Sequence, residues 1–190
     1  MTKGRLEAFS DGVLAIVITI MVLELTPPHG TAIEDLFPLW PKLLSYVLSF
    51  VYLGIYWNNH HHLMQAARTV SGRVLWANLH LLFWLSLIPF GTAWIGENSF
   101  AAVPVAIYGA MLLMPAFAYF ILVRALIAAP GQSTTMAAAI GSDLKGKVSI
   151  AMYALSIPLA LVVPVGALAI FVAVAAIWII PDRRFERSVA

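Results

Sequence analysis

From Arg5 to Leu25 the chain reads "RLEAFSDGVLAIVITIMVLEL", an apolar run interrupted by Ser10, Asp11 and Thr19 and closed by Glu24. Further apolar runs follow at roughly 39 to 65, 73 to 95, 100 to 125, 147 to 163 and 165 to 181, after a first at roughly 6 to 25. Each is near the 17 to 25 residues that a helix needs to cross hydrocarbon. The pattern predicts six membrane-spanning helices. Turn chemistry separates them: Thr26, Pro27, Pro28, His29 and Gly30 after the first, Gly96, Glu97 and Asn98 after the third, Pro164, Val165 and Gly166 before the last. The final break is open to a second reading, in which residues 147 to 181 hold one long span and a shorter re-entrant one.

Composition agrees with the pattern. With 62% hydrophobic and 11% charged residues among 190, and a mean hydropathy of +0.91, the chain has more apolar surface than a soluble core of that size buries. The first run lacks a small-residue cleavage pattern and is expected to stay in the product. No cysteine is present, so disulfides and thiolate metal sites are excluded.

Charge sets the orientation. Lys3, Arg5, Arg68, Arg73, Arg124, Lys145, Lys147, Arg183, Arg184 and Arg187 fall on one side of a six-span arrangement, and Lys42 alone falls on the other. The positive-inside rule places both termini in the cytoplasm. This asymmetry accounts for the net charge of +2, so the basic balance carries no nucleic-acid inference. The stretch from Ala128 to Ser142, "AAPGQSTTMAAAIGS", reads as a flexible cytoplasmic linker. Residues 1–190 are read as one membrane domain.

An ionisable group inside a span costs about 2.5–3.5 kcal/mol on insertion scales, so Asp11 is expected to face protein or water and to have a partner. Candidates lie in "YWNNHHHLMQ" of the second span, with Trp57, Asn58, Asn59 and His60 to His62, and in "WANLHLLFWLSLIPFGT" of the third, with Asn78 and His80. The antiparallel order of the helices brings Asp11, the histidines and Asn78 to similar depth. At about 100° per residue, Phe9, Gly12, Val13, Ile16, Ile20 and Leu23 gather on one face of the first helix, and Asp11 lies roughly opposite. Taken alone, such a stripe is lipid or core contact. Three adjacent histidines diverge around a helix and do not converge on one metal, so neither a metal nor a cofactor is expected.

Several of these residues together resemble a known family. Arg5, Phe9-Ser10-Asp11-Gly12-Val13, Ala15-Ile16, Thr19 and Leu23-Glu24-Leu25 are similar to the first-helix signature of the transmembrane protein 175 family of potassium channels, and "YWNNHH", "ANLHLL" and Pro89-Phe90-Gly91-Thr92 add to the likeness. The resemblance implies a cation channel without a Thr-Val-Gly-Tyr-Gly filter, assembled from single-repeat chains as a homotetramer. Its implied pore is lined by the first helix, with Ile16 at the narrow point and Ile20 and Leu23 as further apolar rings. Thr19 would add a ring of hydroxyls. It further implies that Arg5, Phe9, Ser10 and Asp11 belong to an anchoring network, with His60 and Asn78 as partners on the second and third helices. Glu24 either concentrates cations at the outer mouth or caps the helix end.

The function expected is passive conduction of potassium and other monovalent cations, modestly selective over sodium, in a prokaryotic plasma membrane. The alternative is a proton-coupled secondary transporter that uses Asp11 and the histidines as a relay, although inverted repeats and broken helices are not evident. An enzyme is not expected, because no nucleophile with a paired base occurs at useful spacing.

Overall fold

The structure, a computed structural model, describes residues 2–131 and 143–179. Most of the Ala128–Ser142 linker, the end of the sixth run and Arg183, Arg184 and Arg187 lie outside the described residues. The described chain is helical: α1 (Lys3–Leu23), a 3-10 segment (Ile33–Leu39) leading into α2 (Trp40–Ala66), α3 (Gly72–Ser86), α4 (Ile88–Glu97), α5 (Ala102–Ile127), α6 (Leu144–Val162) and α7 (Pro164–Ile179). Five segments are long and apolar enough to cross a membrane: Lys3–Leu23, Ile33–Ala66, Gly72–Glu97, Ala102–Ile127 and Leu144–Val162. The protein is an integral, multi-pass membrane protein. The sixth helix, α7, has 16 residues, about 24 Å at 1.5 Å per residue, against a hydrocarbon core of about 30 Å.

Two proline positions shape the path. The third run, expected as one helix, is two: α3 and α4 meet at Leu87, whose N–H bonds the Trp84 carbonyl three residues back. Pro89 stands at the start of α4. It has no N–H to give and its ring crowds the carbonyl four residues earlier, so the helix tightens and breaks there. Val163 precedes Pro164 and leaves the helical region at φ −137 and ψ 81, as the residue before proline tends to do. The chain then reverses, because Trp178 Nε1 donates to Ser149 Oγ at 2.8 Å and the Tyr153 and Phe171 rings stand 6.4 Å apart. Residues 144–179 therefore form an antiparallel hairpin, α6 of spanning length and α7 shorter.

Helix α5 is the centre of the bundle, buried through Val105, Tyr108, Leu112, Ala118, Leu122 and Leu126. Phe171 of α7 stacks edge-on against Tyr108 at 5.7 Å, and the Tyr52 hydroxyl of α2 donates to the Phe171 carbonyl. Four helices share a second buried polar group. Thr92 Oγ1 on α4 lies 2.6 Å from Ser49 Oγ on α2, 2.8 Å from the Ile88 carbonyl and 3.8 Å from Met21 Sδ on α1, while Ser49 lies 2.7 Å from the Tyr108 hydroxyl on α5. Among the described residues no buried side-chain nitrogen or oxygen lacks a partner. Hydrocarbon demands this, since it offers no water to take up the bond.

The C-terminal end of α4 presses against the start of α2 at Gly96. A Cβ built there would meet Ser45 Oγ at 2.6 Å and the Lys42 Cα at 2.9 Å, and backbone cannot swing aside. Gly96→Ala is expected to cost about 1–3 kcal/mol and to lower the melting temperature of the detergent-solubilised protein. Gly54→Ala, where a Cβ meets nothing within 4 Å, should leave it unchanged or raised.

Candidate functional site

Helix α1 has two unlike faces. Leu6, Ser10, Leu14, Val17 and Met21 recur every three or four residues and are buried against the rest of the chain. On the other side Phe9, Ile16, Ile20 and Leu23 stand exposed, Ile16 at 59% and Leu23 at 73%. Gly12 is exposed in the same stripe, and a Cβ built on it would meet nothing within 4 Å. Among the described residues nothing covers these side chains.

The buried face is held by a three-residue chain. Asn78 Nδ2 on α3 donates to Ser10 Oγ at 2.9 Å, Ser10 donates to the Leu6 carbonyl at 2.8 Å, and Asn78 Oδ1 meets His60 Nε2 on α2 at 2.7 Å. Because an amide oxygen only accepts, His60 carries its proton on Nε2 in this arrangement. Ser10, Asn78 and His60 are each 2% exposed or less. Asp11, the residue whose partner the sequence most called for, stands apart from this chain. It is half-buried, and Trp57 Nε1 donates to its Oδ1 at 3.1 Å. Trp57 in turn stacks on His61 at 6.1 Å, and His61 Nε2 lies 2.9 Å from Gln65 Nε2. Two parallel links thus tie α1 to its neighbours, one buried through Ser10 and one peripheral through Asp11. Arg5 is exposed near the start of the helix. His60 turns to Asn78, the His61 and His62 rings stand edge to face at 5.6 Å, and among the described residues no three of His, Cys, Asp and Glu come together as metal ligands.

Toward the C-terminal end of α1 the exposed stripe borders a groove shared with α4. Ile16 and Ile20 line one wall, Pro89, Phe90 and Trp94 the other, and Glu24 and Glu97 close the end. Glu24 is the C-cap residue of α1 and exposed. Glu97 is paired with Lys42 Nζ at 3.3 Å. The Thr19 hydroxyl, also exposed, donates to the Ile16 carbonyl at 2.9 Å. Its proton is thereby engaged with the helix, and its oxygen lone pairs remain for another partner.

Two participants lay outside the sequence reading, Ser49 and Tyr108 of the Thr92 group; Trp57 was among the candidates for Asp11, and the structure pairs the two. A signal for the first was present. Ser45, Ser49, Tyr52, Tyr56 and His60 recur at four- and three-residue steps, a polar stripe on one face of a membrane helix, which has to be turned toward protein.

The arrangement defines a multi-pass helical membrane protein in which one helix is pinned on one face through Ser10 and uncovered on the other among the described residues. Residues 5–89 match the family model of the endosomal/lysosomal potassium channel TMEM175. A potassium channel from a Chryseobacterium species is 54% identical over 188 residues, covering 99% of this chain and 98% of that one. The endosomal/lysosomal proton channel TMEM175 of Gallus gallus is 39% identical over 75 residues, 33% of this chain and 15% of that one. The solved structure of a lysosomal potassium-selective channel TMEM175 homolog from Chamaesiphon minutus superimposes with a TM-score of 0.81 at 26% identity, covering 95% of this chain and 97% of that chain. The chain belongs to the TMEM175 family, a family of ion channels and not of enzymes.

The geometry separates Ser10 from Asp11 experimentally. Asn78→Ala strips partners from both Ser10 and His60 and is expected to destabilise the fold by about 1–3 kcal/mol. Asp11→Asn keeps an oxygen for the Trp57 indole and should cost under about 1 kcal/mol. Melting curves of the purified variants in one detergent give the comparison.

Proposed function

We propose that this chain forms a potassium-permeable cation channel: a homotetramer in a prokaryotic plasma membrane, with both termini cytoplasmic and four copies of α1 around a central pore. The observation that carries the reading is the exposed stripe of Phe9, Gly12, Ile16, Ile20 and Leu23 opposite the buried Ser10. An isolated helix of this kind has no reason to hold one rotation about its axis. The Ser10–Asn78–His60 chain supplies that reason, and with four copies it aims each stripe at a shared axis. The potassium channels among the relatives support the same reading. Residues 1–190 act in it as one unit.

In this arrangement Ile16, Ile20 and Leu23 form successive apolar rings, about 4.5–6 Å apart along the helix. A narrow ring of isoleucines excludes water when closed. When slightly wider it makes an ion shed part of its hydration, which costs weakly hydrated potassium less than sodium. The Thr19 oxygens, with their protons turned to the Ile16 carbonyls, replace part of the lost water. Glu24 adds negative charge at the outer mouth, and Lys42 neutralises the neighbouring Glu97, so Glu24 carries the cation-concentrating role there. Arg5 and Phe9 flank the anchored segment at the inner end.

The competing reading is proton movement through Asp11 and the histidines, and it draws weight from the proton-channel name of the animal relative. The bond from Asp11 to Trp57 weighs against it, because an indole N–H donates and does not accept a proton.

Flux from proteoliposomes tests both. Wild-type protein is expected to pass potassium faster than sodium without a pH gradient. Ile16→Asn should bring the ratio of potassium to sodium permeability toward about 1 while current persists; an unchanged ratio removes Ile16 from selectivity. Flux that requires a pH gradient and disappears in Asp11→Asn, with assembly intact, would establish the relay in its place.

A further inference from the structure

At the end of the bundle where the chain starts, α3 and α5 enclose a groove of about 1080 Å³ that takes no part in the proposed pore. Its lining includes Arg73, Trp76 and His80 from α3 and Phe120, Ile121 and Arg124 from α5. The helices run antiparallel, so Arg73 in the first turn of α3 and Arg124 in the last turn of α5 reach the same end. Both arginines are exposed. Among the described residues no acidic side chain lines the groove, and the Lys42–Glu97 ion pair belongs to the opposite end. The Arg124 guanidinium lies 6.0 Å from the centre of the Phe120 ring, which holds it over the groove wall. Away from the arginines the surface turns apolar. Trp76 is 75% exposed, and Phe83 and Phe117, further along the same helices, are exposed as well.

We propose that this groove binds an anionic phospholipid, its phosphate between Arg73 and Arg124 and an acyl chain along Trp76 and toward Phe83 and Phe117. Three features favour that occupant. Two guanidinium groups with no acidic partner among the described residues match one phosphate, which each can bond in a bidentate manner. The partial positive charge at the start of α3 adds to theirs. A tryptophan beside them matches the depth where headgroup gives way to hydrocarbon, and basic pockets between membrane helices take such headgroups. A free phosphate ion would satisfy the arginines and leave Trp76 uncovered. A second copy of the chain would have to bring an acidic surface to the same place.

Native mass spectrometry of the full-length protein, released from neutral detergent with phosphatidylglycerol or with phosphatidylcholine of the same acyl chains, reads out the site. Wild-type protein is expected to retain phosphatidylglycerol preferentially. Arg73→Gln with Arg124→Gln should weaken that retention on the order of thirtyfold and leave phosphatidylcholine unaffected. Arg73→Lys with Arg124→Lys, which keeps the charge and removes the forked geometry, should fall between and remains informative if the glutamine pair does not fold. Lys147→Gln removes an exposed charge outside the groove and should change nothing. Equal losses in Lys147→Gln, undiminished retention in the glutamine pair, or displacement of the lipid by inorganic phosphate alone would overturn the proposal. A smaller oligomer in the glutamine pair would overturn it too, by assigning the groove to a contact between subunits.

Discussion

Every polar group that this chain carries into hydrocarbon must find its partner within the protein, and the fold is arranged around that requirement. Ser10 has Asn78, Asn78 has His60, and Thr92 has Ser49 with Tyr108 behind it. Each link joins one helix to another. In water such bonds contribute little net, because the unfolded chain bonds to solvent instead. Within a membrane each measured bond is also modest, since unfolded helices find other partners there. Their value here is geometric: a hydrogen bond of 2.7–2.9 Å sets the rotation of a helix, which van der Waals packing of leucine and valine alone leaves loosely defined.

The two polar groups sit at different levels of α1. The Ser10 chain ties its first half to α2 and α3, and the contact of Met21 with Thr92 ties its second half to α4 and, through Ser49 and Tyr108, to the core. Between these points the helix has a fixed face toward the bundle and a free face away from it. The break at Leu87 belongs to the same design. It separates α3, which meets α1 at Asn78, from α4, which meets α1 at Thr92, so that the two contacts need not lie along one straight helix. A hydroxyl such as Thr19 can then be held at a set position on the free face, its proton committed to its own backbone.

Much of this was legible in the residues. The register of the α1 stripe follows from spacing, and Phe9, Gly12, Ile16, Ile20 and Leu23 are exposed as that register requires, while Val13 at its edge is half-buried against the core. The polar stripe Ser45, Ser49, Tyr52, Tyr56 and His60 on α2 was equally available. Asp11 drew attention because a carboxylate is the costliest group in a membrane, yet the buried partner of Asn78 is its neighbour Ser10. The two are separated by about 100° of rotation, and which of them meets Asn78 depends on how α1 and α3 cross. Spacing carries no information about that crossing. The break in the third run has a visible cause in Pro89, but prolines at positions 104, 115 and 158 sit in or at the start of helices that run on, so the residue type alone does not decide the outcome.

The sequence by itself determined that the chain lives in a membrane, that its apolar runs are helical, which residues form the apolar stripe of the first helix, and a family resemblance that the comparisons bear out. Those properties are local sums of hydropathy and helical period, and they need no knowledge of neighbours. Only the tertiary structure decided that Ser10 and not Asp11 joins Asn78 and His60, that Trp57 answers Asp11, that residues 144–179 fold as a hairpin, and that Arg73 and Arg124 share one groove. Each of these depends on distances of a few ångströms between separate helices, and such distances are fixed by how whole surfaces pack, which the period of one helix does not encode.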